Sequence, residues 1–191
     1  HIPINTNIKG FVKNGDIQIN KLRGSVNLKT ESVDTELNNL SGNIVFNTKG
    51  GNIYIKKTNG TIRLNVISGN IDIMQCEGNI FTSIENGIAK LDKIKGEIKS
   101  ATTLGDTEIS YFDGRQCSFD INVGNLIAKN CNSDFKVNID IGDITINDVK
   151  GNTTLFTGKG QINMNNIIGN TRCNSNFGNI SGNNLFGSII A

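Results

Sequence analysis

Three carboxylates come nearest to a catalytic set. Glu36, Asp72 and Glu108 recur at even spacing, with Tyr54 and Lys90 midway between them. Glycosidic cleavage uses two carboxyl groups about 5–10 Å apart, one as acid and the other as base or nucleophile. No two of the three are neighbours in the chain, so their worth depends on the element that carries them. Cys76, Cys117, Cys131 and Cys173 offer a second chemistry. Zinc sites gather their ligands in short pairs such as CxxC, and this sequence has none. The one histidine, His1, is terminal, which leaves no internal residue for His-based acid–base chemistry. Calcium-binding nonapeptide rolls repeat GGxGxDxUx; here only Gly50-Gly51 pairs two glycines, and no GxD series follows. The expectation is a chain with no catalytic residues, no metal site and no cofactor.

The elements that carry these residues are repeats. Residues 51–78 read GNIYIKKTN-GTIRLNVIS-GNIDIMQCE-G, with a glycine opening every block of nine. The same spacing runs from Gly15 to Gly114 with Val33 as the one miss, and from Gly124 to Gly187 with Ser133 as the one miss. One extra residue lies between the two runs. Alternate blocks differ. Their eighth residues read Leu22, Leu40, Thr58, Cys76, Ile94, Phe112, Cys131, Val149, Ile167 and Leu185 in one set. In the other they read Glu31, Lys49, Ile67, Glu85, Thr103, Asn122, Asp140, Gly158 and Asn176. The unit is therefore two unlike halves. Half A is apolar at its third, fifth and eighth residues; half B alternates at its third, fifth and seventh.

Alternation with period two, rich in β-branched residues, is a strand pattern, and no segment keeps a helical period. Short strands repeating every 18 residues predict an all-β, single-stranded parallel β-solenoid. A lone coil cannot cover its apolar face; stacked coils make a continuous column. Parallel strands stack at about 4.8 Å, so ten to eleven coils give a rod about 50 Å long. A right-handed winding is expected, because crossover connections overwhelmingly take that hand. Residues 1–191 form one solenoid domain on this reading. Glycine at each corner supplies a positive φ or close approach between coils, and the Asn or Asp that follows bonds local backbone.

Laid on such a coil, Glu36, Asp72 and Glu108 fall in one outward column, two coils or about 10 Å apart. Solvated charge explains them better than catalysis. Cys76 and Cys131 point inward about three coils apart, beyond disulfide reach, and buried thiols act as small hydrophobes. Cys117 is inward if the extra residue lies at 115–116, and Cys173 is inward at a fifth position. Threonines Thr30, Thr48, Thr102 and Thr157 face in, which argues against an ice-binding face. The formal charge is only +2 with signs interspersed, which argues against nucleic acid. No apolar run reaches the roughly 20 residues of a membrane helix. Three sequons, at Asn59, Asn152 and Asn179, fall at corners.

The repeated G-[ND]-I-x-I block, with SGN at 41–43, 68–70 and 181–183, resembles the bacterial adhesin-like β-helix families, whose repeats read SGDI or SGSV. It is similar more loosely to bactofilin-type polymerising β-helices. The resemblance covers nearly the whole chain. It implies a β-helix at or outside the cell surface with no catalytic motif.

The chain opens HIPIN without an initiator Met and reads as a processed form or part of something longer. The apolar pattern runs into both ends, at His1, Ile2, Ile4 and Ile8 and at Ile180, Leu185, Ile189 and Ile190, with no capping helix. Open coils expose backbone groups and apolar side chains. Head-to-tail stacking covers them and gives a filament. Tyr54, Phe81, Tyr111 and Phe156 offer lateral contacts. The functional expectation is a non-enzymatic structural or adhesive surface protein whose partner is itself. A glycan- or protein-binding module of a longer surface protein is the alternative. An extracellular or cell-surface location is expected, although four unpaired cysteines also suit a reducing compartment.

Overall fold

A computed structural model describes residues 5–191. His1, Ile2 and Ile4, three of the residues expected at an associating end, lie outside the described residues. The chain winds as a parallel β-solenoid of about ten coils, all strands in one continuous sheet. Each strand pairs in parallel with its equivalents 18 residues away, or 19 where the pairing crosses the one inserted residue. Ile62–Ser68 lies between Ile44–Gly50 and Ile80–Asn86, with Ile62 opposite both Ile44 and Ile80. Ile53–Asn59 sits against Ile71–Glu77 in the same way, Ile53 opposite Ile71.

The inward columns fill the axis. One cluster of buried apolar side chains runs without a break from Leu22 to Cys173. Phe46, Phe112 and Phe119 supply its bulk, and Phe119 stacks on Phe135 with ring centroids 6.2 Å apart. Removing this surface from water is the main favourable term holding the coils together. Inward threonines interrupt it. The Thr82 hydroxyl donates to Ser100 Oγ at 2.7 Å, and Thr153 to Thr171 Oγ1 at 3.0 Å, across neighbouring coils, whereas the buried hydroxyls of Thr30, Thr35, Thr58, Thr102 and Thr107 have no partner among the described residues.

Each coil turns three corners. Two carry the repeated glycines. At Gly87, φ is +152°, and a Cβ would run into the carbonyl oxygen of Gly69 one coil below. Both expected reasons for glycine therefore act at the same residue. Where glycine is missing, Val33 and Ser133 turn their side chains inward and are buried. The strand continues through the corner there, as Val26–Ser41 and Leu126–Ile141, and it does so also at Gly15 and Gly96, within Ile8–Arg23 and Ala89–Leu104.

The third corner is a column of left-handed residues, one per coil: Lys21, Asn39, Lys57, Gln75, Lys93, Tyr111, Asn130, Asp148, Asn166 and Asn184, with φ from 51° to 60°. This conformation costs a non-glycine residue roughly 1–2 kcal/mol, less for Asn and Asp. It bends half A between its fifth and eighth residues. That bend is why the inward set steps from odd to even positions there, while half B alternates strictly. The one inserted residue is Arg115, a bulge between Gly114 and Gln116, and Cys117 resumes the inward register opposite Ile98.

Candidate binding surface

Every outward side chain belongs to a column that repeats once per coil, so the flanks of the rod are linear arrays. The corner Asn and Asp residues bond differently from the expectation. Their side-chain oxygens reach the next coil instead of the local backbone. Asn52 N–H donates to Asp34 Oδ1 at 2.6 Å, Asn70 N–H to Asn52 Oδ1 at 3.1 Å, and Ile88 N–H to Asn70 Oδ1 at 2.9 Å. The opposite glycine corner repeats the device, with Thr61 N–H on Asn43 Oδ1 and Asn170 N–H on Asn152 Oδ1. The glycine makes the turn, and its polar neighbour ties coil to coil.

On the half-B flank a groove of about 690 Å³ runs along the rod. Its walls are the sixth column (Lys29, Asn47, Asn65, Ser83) and the eighth (Glu31, Lys49, Ile67, Glu85), with Thr30, Thr48 and Val66 between them. Phe11 closes one end and is 61% exposed. Asn65 Nδ2 donates to Asn47 Oδ1 at 2.7 Å, and Lys49 Nζ lies 2.8 Å from Glu31 Oε1. No long loop is needed for this hollow. Short amide and hydroxyl side chains along the sixth column leave the space.

A second feature lies on the corner before half A. Leu104, Val123 and Ile141 sit in register on successive coils, each between 41% and 48% exposed. Phe177 continues the column beyond Lys159 and is still more exposed. Sequence reasoning missed this strip and picked out isolated aromatics. Of those, only Tyr111 is exposed. Tyr54, Phe81 and Phe156 are half-buried. Tyr54 donates its hydroxyl to Met74 Sδ, and Phe81 lies under the Arg63 guanidinium, 4.7 Å from the ring centre. Reading the ninth residues of half B together, Ser32, Gly50, Ser68, Asn86, then Leu104, Val123 and Ile141, reveals the change.

The carboxylates stand where the coil register put them. Glu36 lies opposite Tyr54, Tyr54 opposite Asp72, Asp72 opposite Lys90 and Lys90 opposite Glu108, so no two of the three meet. Partial burial raises the Asp72 carboxyl above its usual range; Lys90 opposes that rise and Asp92 adds to it. All four cysteines are free and buried. Desolvation raises each thiol, and Cys131 is pushed up to about 11. Such thiols are poor nucleophiles. Among the described residues no three His, Cys, Asp or Glu side chains gather as metal ligands, and no helix is long and apolar enough to cross a membrane.

Toward the described ends, Ile8 is half-buried opposite Val26. Ile180 and Leu185 are half-buried against the core, while Ile189 and Ile190 are exposed opposite Thr171 and Arg172. No protein-family model, curated protein or solved structure matches the chain.

Proposed function

We propose that the chain is a non-enzymatic structural and adhesive rod that associates with further copies of itself at a cell surface. One observation carries this reading: the exposed strip Leu104, Val123 and Ile141, in register along one corner. Contiguous apolar surface of this kind marks an interaction site. A straight strip on a straight rod meets the same strip of an antiparallel copy, which is the self-matching geometry of a two-fold contact. End-to-end stacking is the second form of the same association. A coil presents on its edge the backbone groups that its neighbour takes up, as Ile162–Ile168 does for Ile180–Phe186 in unchanged register. Another copy fits as one more coil. The resemblance of the SGN and GNI repeats to adhesin-like β-helices supports the surface location.

Sedimentation velocity and negative-stain electron microscopy test the proposal. The protein at micromolar concentration forms pairs or fibres, and fibres show an axial repeat of about 50 Å where ends stack. Val123→Lys with Ile141→Lys abolishes lateral pairs and leaves the fold intact. A monodisperse single rod at all concentrations reached would overturn the proposal.

A further inference from the structure

We infer that the half-B groove between Phe11 and Ser83 binds a stretch of neutral, extended, β-linked polysaccharide. The strip Leu104, Val123 and Ile141 lies further along the rod, in the column next to the groove wall, and shares no residue with the groove, so this inference stands or falls separately from self-association.

Three properties of the groove select the ligand. The first is charge. Lys29 and Lys49 are balanced within the groove by Glu31 and Glu85, and Lys49 is already paired with Glu31. An anionic or cationic polymer finds no net field to attract it. The second is hydrogen-bonding character. The bond from Asn65 to Asn47 uses one amide hydrogen of Asn65 and the oxygen of Asn47. Both amide hydrogens of Asn47 and the oxygen of Asn65 are left to face the groove, and the Ser83 hydroxyl stands one coil on. Amides and hydroxyls that both donate and accept suit a ligand whose hydroxyls do the same. Phe11 adds an exposed ring at one end, a face on which a pyranose can lie.

The third property is period. Phe11, Lys29, Asn47, Asn65 and Ser83 succeed one another at one coil per step. The step is about 4.8 Å and the run about 20 Å. One pyranose unit of an extended β-1,4 chain advances by a closely similar length, and because successive units are flipped the same face returns at every second unit, close to every second coil. An extended peptide repeats its side-chain direction every two residues, about 6.7 Å, and falls out of step after one coil. The strand edges that would add such a peptide by backbone pairing face along the rod axis and not into this flank.

The test is an amide NMR titration of the whole chain with the β-1,4-linked hexamers of glucose and of N-acetylglucosamine. The hexamer of galacturonic acid and an extended Ser-Thr peptide serve as contrasts. Saturable shifts are expected at Phe11, Lys29, Asn47, Asn65 and Ser83 with one or both neutral hexamers. Phe11→Ala weakens binding at least ten-fold, and Asn47→Ala several-fold. Ser83→Trp, at an exposed position, fills the groove and abolishes binding without touching the core. Asn163→Ala on the half-A flank changes nothing. Circular dichroism confirms that each variant is folded. Absence of saturable shifts, shifts elsewhere on the rod, unchanged affinity in Phe11→Ala, or tighter binding of the galacturonate hexamer or the peptide would each overturn the inference. Self-association that persists in Ser83→Trp shows that the adhesive-rod reading survives such a failure.

Discussion

Asn70 Oδ1 accepts the backbone N–H of Ile88, one coil further on, at 2.9 Å. The same side chain belongs to a series in which each corner amide ties down the next coil, since Asn70 N–H is itself donated to Asn52 Oδ1. Asn70→Ala removes one rung. The freed N–H lies at an exposed corner where water can replace the lost acceptor, so the cost sits within about 0.5–1.5 kcal/mol. Asn70→Asp keeps the acceptor oxygen and is close to neutral. Urea titration checks both: a lower midpoint for the alanine variant only, with an unchanged slope. Equal loss in the two variants would mean that the ladder contributes nothing.

The glycine corners separate two physical effects that usually occur together. Gly87 has φ +152° and backbone packed where a Cβ would go; Gly15 has φ +118° and open space around it. Gly15→Ala therefore meets only backbone strain, about 1–3 kcal/mol. Gly87→Ala adds a collision with the Gly69 carbonyl and must push two coils apart, so its loss exceeds about 4 kcal/mol. Thermal unfolding of the pair ranks them, and a Gly15 variant as damaged as the Gly87 variant would refute the distinction.

Much of this architecture was legible because the repeat is short and its errors are few. Inward Ile53, Ile71 and Ile144 announce themselves by alternation, and the displaced glycine count locates the insertion that the structure places at Arg115. The third corner was not legible. Lys57, Gln75 and Tyr111 carry no chemical sign of a positive φ; tertiary packing imposes it on them. The reach of Asn52 to Asn70 was also hidden, since an Asn after a glycine suits a local turn equally well. The groove depends on the lengths of side chains brought together from five coils. No single stretch of sequence shows that.

The register itself has a sharp test in adjacent residues. Ile71 is buried and Asp72 faces outward between Tyr54 and Lys90. Ile71→Lys places an unpaired ammonium in the core column and prevents folding or costs more than about 4 kcal/mol. Asp72→Lys gains a like-charged neighbour and loses at most about 1 kcal/mol. Soluble yield and urea midpoints distinguish them. Comparable damage at both sites would place the wrong residues inside.

Asp72 also gives a pH signature. Its carboxyl is raised above 3.8 mainly by desolvation, so folding favours the protonated form. The stabilising contribution is complete below the unfolded value and is lost as pH rises through the higher folded value. Asp72→Asn is insensitive to that transition. The variant and the parent should match at the acid end, and the variant should become the more stable through the weakly acidic range. The effect is small, because much of the carboxylate is solvated. Urea midpoints measured across the acid range check the sign; an asparagine variant less stable at neutral pH would reverse it.

The cysteines carry the final expectation. Burial moves the Cys131 thiol from 9.0 to about 11, and the thiol donates to the Lys129 carbonyl oxygen at 3.2 Å. Cys117 is shifted in the same direction by the same cause. At pH 8 the Cys131 thiol stays protonated, and its sulfur is buried out of contact with reagent. Ellman's reagent should therefore leave the native rod unlabelled at pH 8 and label all four thiols in guanidinium. The same shift has a stability consequence. A thiol favoured in its protonated form stabilises the fold fully below about pH 9 and loses that contribution as pH rises toward 11. Cys131→Ala has no such titration, so its destabilisation relative to the parent should shrink across that interval. Rapid native labelling, or a gap that widens with pH, would place Cys131 outside the core column.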